Sequence, residues 1–235
     1  MSQMKRRTSV LITLFFFIQA LAHVATAQEE KQTLRFVTFP KTSDPIKLSL
    51  LAGEGRTIQV EVASNAISKS VNMPVLTEWV VGEWVNTGRD TPPKFSVFGK
   101  VNNAGSPHQI VIVIRRTEKI SDGCKLIALS DKTGDFGPGK MLLLNAADKP
   151  IGGIVGGRKF AISSGQHAII EPEMNETGRY FHAQMFYEKD GMAKSFFTSN
   201  WVHSKTSRSI SFIYNDPSTH QLRFHHVRDF GQDRP

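Results

Sequence analysis

An all-β protein built as two tandem immunoglobulin-like β-sandwiches is the fold this 235-residue sequence predicts, on three observations. Short runs of β-branched and aromatic residues recur between Gly, Pro, Asn and Asp. No long stretch beyond residue 27 places apolar residues at helical spacing. Several features also recur in the same order about 100 residues apart. A unit of that length suits a sandwich of roughly seven short strands. One large β-sandwich or barrel is the alternative that the same strands allow.

In chain order, residues 1–27 read as a secretory leader. Lys5, Arg6 and Arg7 precede a nearly continuous apolar run from Val10 to Ala22, and Ala25, Thr26 and Ala27 supply the small residues of a cleavage site before Gln28. A bilayer span needs about 20 apolar residues, and Gln19 and His23 interrupt this run. The mature chain is therefore expected to be exported, periplasmic or secreted, without a stable membrane span.

In the strand predicted over Leu34 to Phe39, Leu34, Phe36 and Thr38 alternate with Arg35, Val37 and Phe39. Ile58, Val60 and Val62 share one face of the next, with Gln59 and Glu61 on a wet one. Ile110 to Ile114 is apolar on both faces, which predicts a central, doubly covered strand. The second half offers Met141 to Leu144, Ile151 to Val155, His167 to Ile170, Arg179 to Tyr187, Ser195 to Val202, Ile210 to Tyr214 and Leu222 to Val227. Asp190-Gly191 is a two-residue hairpin pair, and Gly156-Gly157 and Asn215-Asp216-Pro217 mark further reversals.

Laid on one another, the halves match Leu34-Arg35-Phe36 with Met141-Leu142-Leu143, and Ile110 to Ile114 with Ile210 to Tyr214. Leu126 to Asp131 falls opposite Phe224 to Asp229. The turn-rich segment Lys132 to Lys140 is the natural junction, giving domains over 28–136 and 137–235.

Charge and cysteine content exclude several function classes. Without Lys5, Arg6 and Arg7, 26 of the 29 basic residues remain against 21 acidic ones, a net +5 over 208 residues, thinly spread. Nucleic-acid binders concentrate positive charge on one stripe, so no nucleic-acid partner is expected. A single cysteine, Cys124, rules out an intrachain disulfide or a four-cysteine metal site, and reads as a buried small apolar residue.

No catalytic motif emerges. No His-Glu-x-x-His or nucleophile elbow is present, and Gly152 to Gly157 matches no phosphate-binding fingerprint. Neither a catalytic residue nor a cofactor is assigned. Of the mature histidines, His182, His203 and one of His225 and His226 form the conceivable metal set. The last two are strand neighbours and should point to opposite faces. Glu78-Trp79-Val80-Val81-Gly82-Glu83-Trp84 puts two indoles beside two carboxylates, the materials of a sugar platform or an acid–base pair. Filling the first core is the favoured role for Trp79. Trp84 and Trp201 complete the candidate binding residues.

Pro74-Val75-Leu76-Thr77-Glu78-Trp79, followed by Pro93-Lys94-Phe95, resembles the Pro-x-Leu-x-x-Trp and Pro-x-Phe stretch of periplasmic pilus chaperones. The resemblance implies that the strand bearing Ile110, Ile112 and Ile114 donates to an incomplete pilus subunit. Arg115-Arg116-Thr117-Glu118 stands where that family carries an acidic–arginine signature. The leading expectation is an exported, non-enzymatic protein that binds or organises an envelope protein or a cell-surface polymer. A metal-binding or hydrolytic envelope protein and a chaperone-like strand donor are the alternatives.

Overall fold

The computed structural model describes residues 31–53, 55–88, 91–174, 178–216 and 219–231; the leader expected over residues 1–27 and the glycosylation spelling Asn175-Glu176-Thr177 lie outside them. The first half contains β1 (Lys31–Phe39), β2 (Ile46–Leu51), β3 (Thr57–Val62), β4 (Val71–Pro74), β5 (Glu78–Val85), β6 (Lys94–Asn102), β7 (His108–Arg115) and β8 (Cys124–Ser130). The second contains β9 (Met141–Asn145), β10 (Ile151–Val155), β11 (Arg158–Ile162), β12 (His167–Ile170), β13 (Tyr180–Lys189), β14 (Met192–Val202), β15 (Arg208–Asn215) and β16 (Leu222–Asp229). Among the described residues the only helical element is the short 3-10 turn Ile120–Asp122, and no helix is long and apolar enough to cross a membrane.

The strands form four four-stranded sheets, two to each half, and none closes into a barrel. In the first half the sheet orders are β4-β1-β7-β8 and β3-β2-β5-β6. In the second they are β12-β9-β15-β16 and β11-β10-β13-β14, the same orders with every strand number raised by eight. The chain is thus two tandem β-sandwiches of one topology, each with eight strands rather than the seven expected.

Register repeats as well. The parallel pair β1/β7 sets Arg35 opposite Ile110, and β7/β8 sets Ile110 opposite Leu129. The parallel pair β9/β15 sets Leu142 opposite Ile210, and β15/β16 sets Ile210 opposite Val227. These are the positions that the sequence alignment of the halves matches. Each half also carries a bulge at the same strand pair, where β6 skips Phe98 and β14 skips Phe196. At the tip of β13/β14, Asp190 and Gly191 adopt φ 53° and 74°, the paired positive values that a type I′ hairpin requires.

Alternation along the central strands distributes side chains between apolar layers. Leu34 and Phe36 of β1 and Val111 and Val113 of β7 enter the first sandwich, around a fully buried Trp79. From the same strands, Val37, Phe39, Ile110 and Ile112 point the other way and meet Leu142, Leu144, Ile210 and Phe212 of the second half. A third cluster, with Leu143, Ile151, Met185 and Ile213, fills the second sandwich. This middle layer explains why β7 reads as apolar on both faces: it has a packed apolar layer on either side.

The junction is packed into this layer too. Phe136 is buried, although composition marks Lys132 to Lys140 as a turn-rich link with little apolar surface. The Arg208 guanidinium lies 4.4 Å over the Phe136 ring and donates to its carbonyl. Residues from Lys31 onward form one compact unit.

At the layer's edge four buried charges join the halves. Arg35 donates through Nη2 and Nη1 to the two carboxylate oxygens of Asp229 at 2.8 and 3.0 Å, and its Nη1 lies 3.5 Å from Asp131. Arg208 donates to Asp131, and through Nε to Asp229 at 2.8 Å. Two cations and two anions cancel, and the Arg35–Asp229 and Arg208–Asp131 pairs each cross from one half to the other. Burial acts to raise the Asp229 pKa, but hydrogen bonds from Arg35, the Gly231 amide and Arg208 outweigh it and hold the carboxyl below its ordinary range. Burial likewise opposes the Arg35 charge, and Asp229 and Asp131 more than restore it.

The strand-donor role implied by the chaperone resemblance does not survive this arrangement. β7 is hydrogen-bonded to β1 on one side and β8 on the other, and Ile110 and Ile112 are fully buried between the halves. A strand with both edges occupied has no backbone groups left to offer.

Candidate functional site

Each sandwich has a lateral edge where its two sheets end, β6 beside β8 in the first half and β14 beside β16 in the second. In the first half this edge is shut. Gly99 of β6 lies so close to β8 that an added Cβ would stand 2.8 Å from both the carbonyl oxygen and the sulfur of Cys124. Cys124 is itself buried, as its sequence context predicts, and burial pushes its thiol pKa up to about 11.

In the second half the register puts a phenylalanine at the matching place. Gly99 pairs with Val81 beside the first bulge, and Phe197 pairs with Met185 beside the second. The Phe197 ring stacks on Phe224 of β16, centroids 4.8 Å apart. A phenyl group cannot occupy the space of a hydrogen atom, so β14 and β16 stand apart. Between them opens a cleft of about 560 Å³.

Strand periodicity builds its walls. Phe197, Ser199 and Trp201 alternate along β14, and Phe224, His226 and Arg228 alternate along β16, so each trio faces one way. Trp201 lies 5.0 Å from Phe224, 5.7 Å edge-on from Phe181 and 6.0 Å from the His226 ring. His203, just beyond β14, sits 6.3 Å from Phe181. Across the floor, His226 Nδ1 shares a hydrogen bond with Ser211 Oγ at 3.1 Å.

Both imidazoles favour the neutral state. His226 keeps an exposed surface, yet its packing among the cleft walls first, then the charges of Arg228 and His225, push its pKa down to about 4. Burial also lowers His203, assisted by Lys205 and opposed by Glu171. At neutral pH the cleft therefore offers aromatic faces, imidazole donors and acceptors, and serine hydroxyls, with Arg228 at the rim. Among the described residues no carboxylate lines it.

The residues singled out from sequence divide sharply. Trp201 lines the cleft. Trp79 does not qualify as a binding residue: it is fully buried in the first core, its indole N–H 3.4 Å from Gln109 Oε1. Trp84 is 45% exposed on the outer sheet, edge-on to Phe95, and Glu78 pairs with Lys100 at 3.2 Å.

The four candidate histidines disperse. His226 and His203 face the cleft. His225 points oppositely, against Phe212, with Nε2 2.9 Å from the Ser64 carbonyl. His182 is exposed, with Nδ1 3.0 Å from Asn200 Oδ1 beside a shallower neighbouring depression. Among the described residues no three His, Cys, Asp or Glu side chains gather as a metal set.

Phe181, Phe197, Phe224 and Arg228 escaped the sequence reading. Their signal was the same-face alternation along three strands, which also describes any ordinary core.

No family model matches the chain, and no curated protein matches it. One solved structure, described as a putative cell adhesion protein from Bacteroides eggerthii, is 9% identical, with 85% of this chain and 96% of that one covered at a TM-score of 0.24. At that level the likeness carries no argument.

Proposed function

We propose that this chain is an exported, non-enzymatic binding protein of the cell envelope whose ligand seats in the cleft between β14 and β16. The observation that carries the reading is the contrast at equivalent edges: one sealed by Gly99 against Cys124, the other held open and lined by Phe181, Phe197, Trp201 and Phe224. A concave, mostly apolar site of several hundred Å³ with a few convergent polar groups is the usual form of a ligand pocket. Export rests on the leader expected over residues 1–27, and the non-enzymatic part of the reading on a sequence in which no nucleophile motif is recognised.

The test is a titration of the chain starting at Gln28 with 1-anilinonaphthalene-8-sulfonate, whose emission rises in apolar sites. One saturable site is expected, abolished by Trp201→Ala while the far-ultraviolet spectrum stays unchanged. Dye uptake that persists undiminished in Trp201→Ala would overturn the reading. Recovery of the chain in the cytoplasmic fraction with its leader uncut would overturn the export part alone.

A further inference from the structure

We infer that the cleft selects an anionic ligand with a flat aromatic body, a small organic anion whose charge pairs with Arg228 while its ring lies among Trp201, Phe224 and His226. This rests on the cleft being the binding site and adds the chemistry of what it holds.

Three cationic side chains line the cleft, and two are already committed. Arg208 is consumed by Asp131, Asp229 and the Phe136 carbonyl. Lys140 donates to the carbonyls of Gly134 at 2.7 Å and Asp135 at 3.3 Å. Arg228 is exposed and has no hydrogen-bond or carboxylate partner among the described residues, its guanidinium lying 5.9 Å from the Phe230 ring. A planar guanidinium with free donors is suited to a carboxylate, sulfonate or phosphate.

Charge also decides against the opposite class. Aromatic walls can hold a quaternary ammonium by its attraction to ring faces, but such sites gain from nearby carboxylates. Among the described residues no carboxylate lines the wall, and Arg228 would repel a cation. Spacing sets the ligand's dimensions. Arg228 follows His226 by two residues on one face of β16, a rise of roughly 7 Å. The anion and the centre of the aromatic body should therefore lie about one ring length apart. Ser209, opposite Arg228 across the β15/β16 ladder, places a second hydrogen-bonding group beside the anion.

Two dyes sharing one chromophore test this: anilinonaphthalene sulfonate, which carries the anion, and N-phenyl-1-naphthylamine, which lacks it. Both are titrated into the leaderless chain and into Arg228→Gln, Arg228→Lys and Trp201→Ala. The sulfonate is expected to bind at least about tenfold more tightly than the neutral dye. Arg228→Gln should erase that preference without altering affinity for the neutral dye, Arg228→Lys should keep part of it, and raised salt should shrink it. Equal affinities in the unaltered protein, or a preference untouched in Arg228→Gln, would overturn the anion assignment and leave the cleft standing. If neither dye binds, or both bind Trp201→Ala as well as the unaltered chain, the cleft reading itself falls.

Discussion

The two halves share strand order, hydrogen-bond register and a bulge, and they differ at one lateral edge. In the first, a glycine lets β6 lie against β8 and the sandwich seals. In the second, the matching phenylalanine stacks on Phe224 and holds β14 away from β16. The difference teaches that the repeated topology supplies two frames, while side-chain volume at one edge position decides which frame keeps an opening. The open edge carries imidazoles, hydroxyls and a guanidinium with no carboxylate partner among the described residues, whereas the sealed one buries a thiol.

The largest effect is expected where the halves depend on each other. Arg208→Ala leaves the buried carboxylates of Asp131 and Asp229 with Arg35 as their one shared cation, and breaking a buried pair costs about 3–5 kcal/mol. Urea unfolding should show the unfolding free energy in water fall by about that amount, at an unchanged slope. The Asp229 carboxyl has its folded pKa depressed, so its stabilising contribution is full above the ordinary carboxylate range and fades as acid protonates it. Unfolding of the unaltered chain should therefore become easier in acid, and this acid sensitivity should shrink more in Arg35→Ala than in Arg208→Ala, because Arg35 does more to hold the carboxyl ionised.

Exchanging the edge residues gives the next largest effect. Gly99→Phe forces a ring into a space where even a Cβ meets the Cys124 backbone, and overpacking of this kind costs roughly 1–3 kcal/mol. The variant should unfold at lower urea and expose Cys124 to a thiol reagent that the parent resists. Phe197→Ala should weaken dye binding and leave Cys124 protected. If Gly99→Phe keeps full stability and a protected thiol, edge volume is not what separates the halves.

The smallest effect concerns the cleft floor. With His226 at about 4 when folded against an ordinary 6.5, the unfolded chain takes up this proton first as pH falls. Stability from this group is whole above about 6.5 and declines toward 4, where the folded chain protonates as well. His226→Gln should flatten that part of the stability–pH curve. An unchanged slope would mean that the imidazole is more hydrated than its burial implies.

Much of this architecture was legible in the chain. The alternation Leu34-Phe36 against Val37-Phe39 reads correctly as two faces, and Ile110 to Ile114 as a doubly covered strand. The opposite orientations of His225 and His226, the Asp190-Gly191 hairpin and the core position of Trp79 also follow from local rules. What covers the second face of β7 was not legible, and the chaperone resemblance gave that strand a free edge it lacks. Phe136 in a Gly- and Pro-rich link gave no sign of becoming the platform for Arg208. Arg35, Asp131, Arg208 and Asp229 are scattered over nearly 200 residues, and nothing in their spacing announces a cluster.

By itself, then, the sequence determined the all-β class, the repeat and its register, because a strand's period of two and the backbone needs of its turns are local properties. Only the tertiary structure decided that the sandwiches share a middle layer, that four charges lock it, and that one edge stays open. Those features depend on which faces and edges meet across long separations, where a single side chain's volume or charge acts on a neighbour that sequence distance does not reveal.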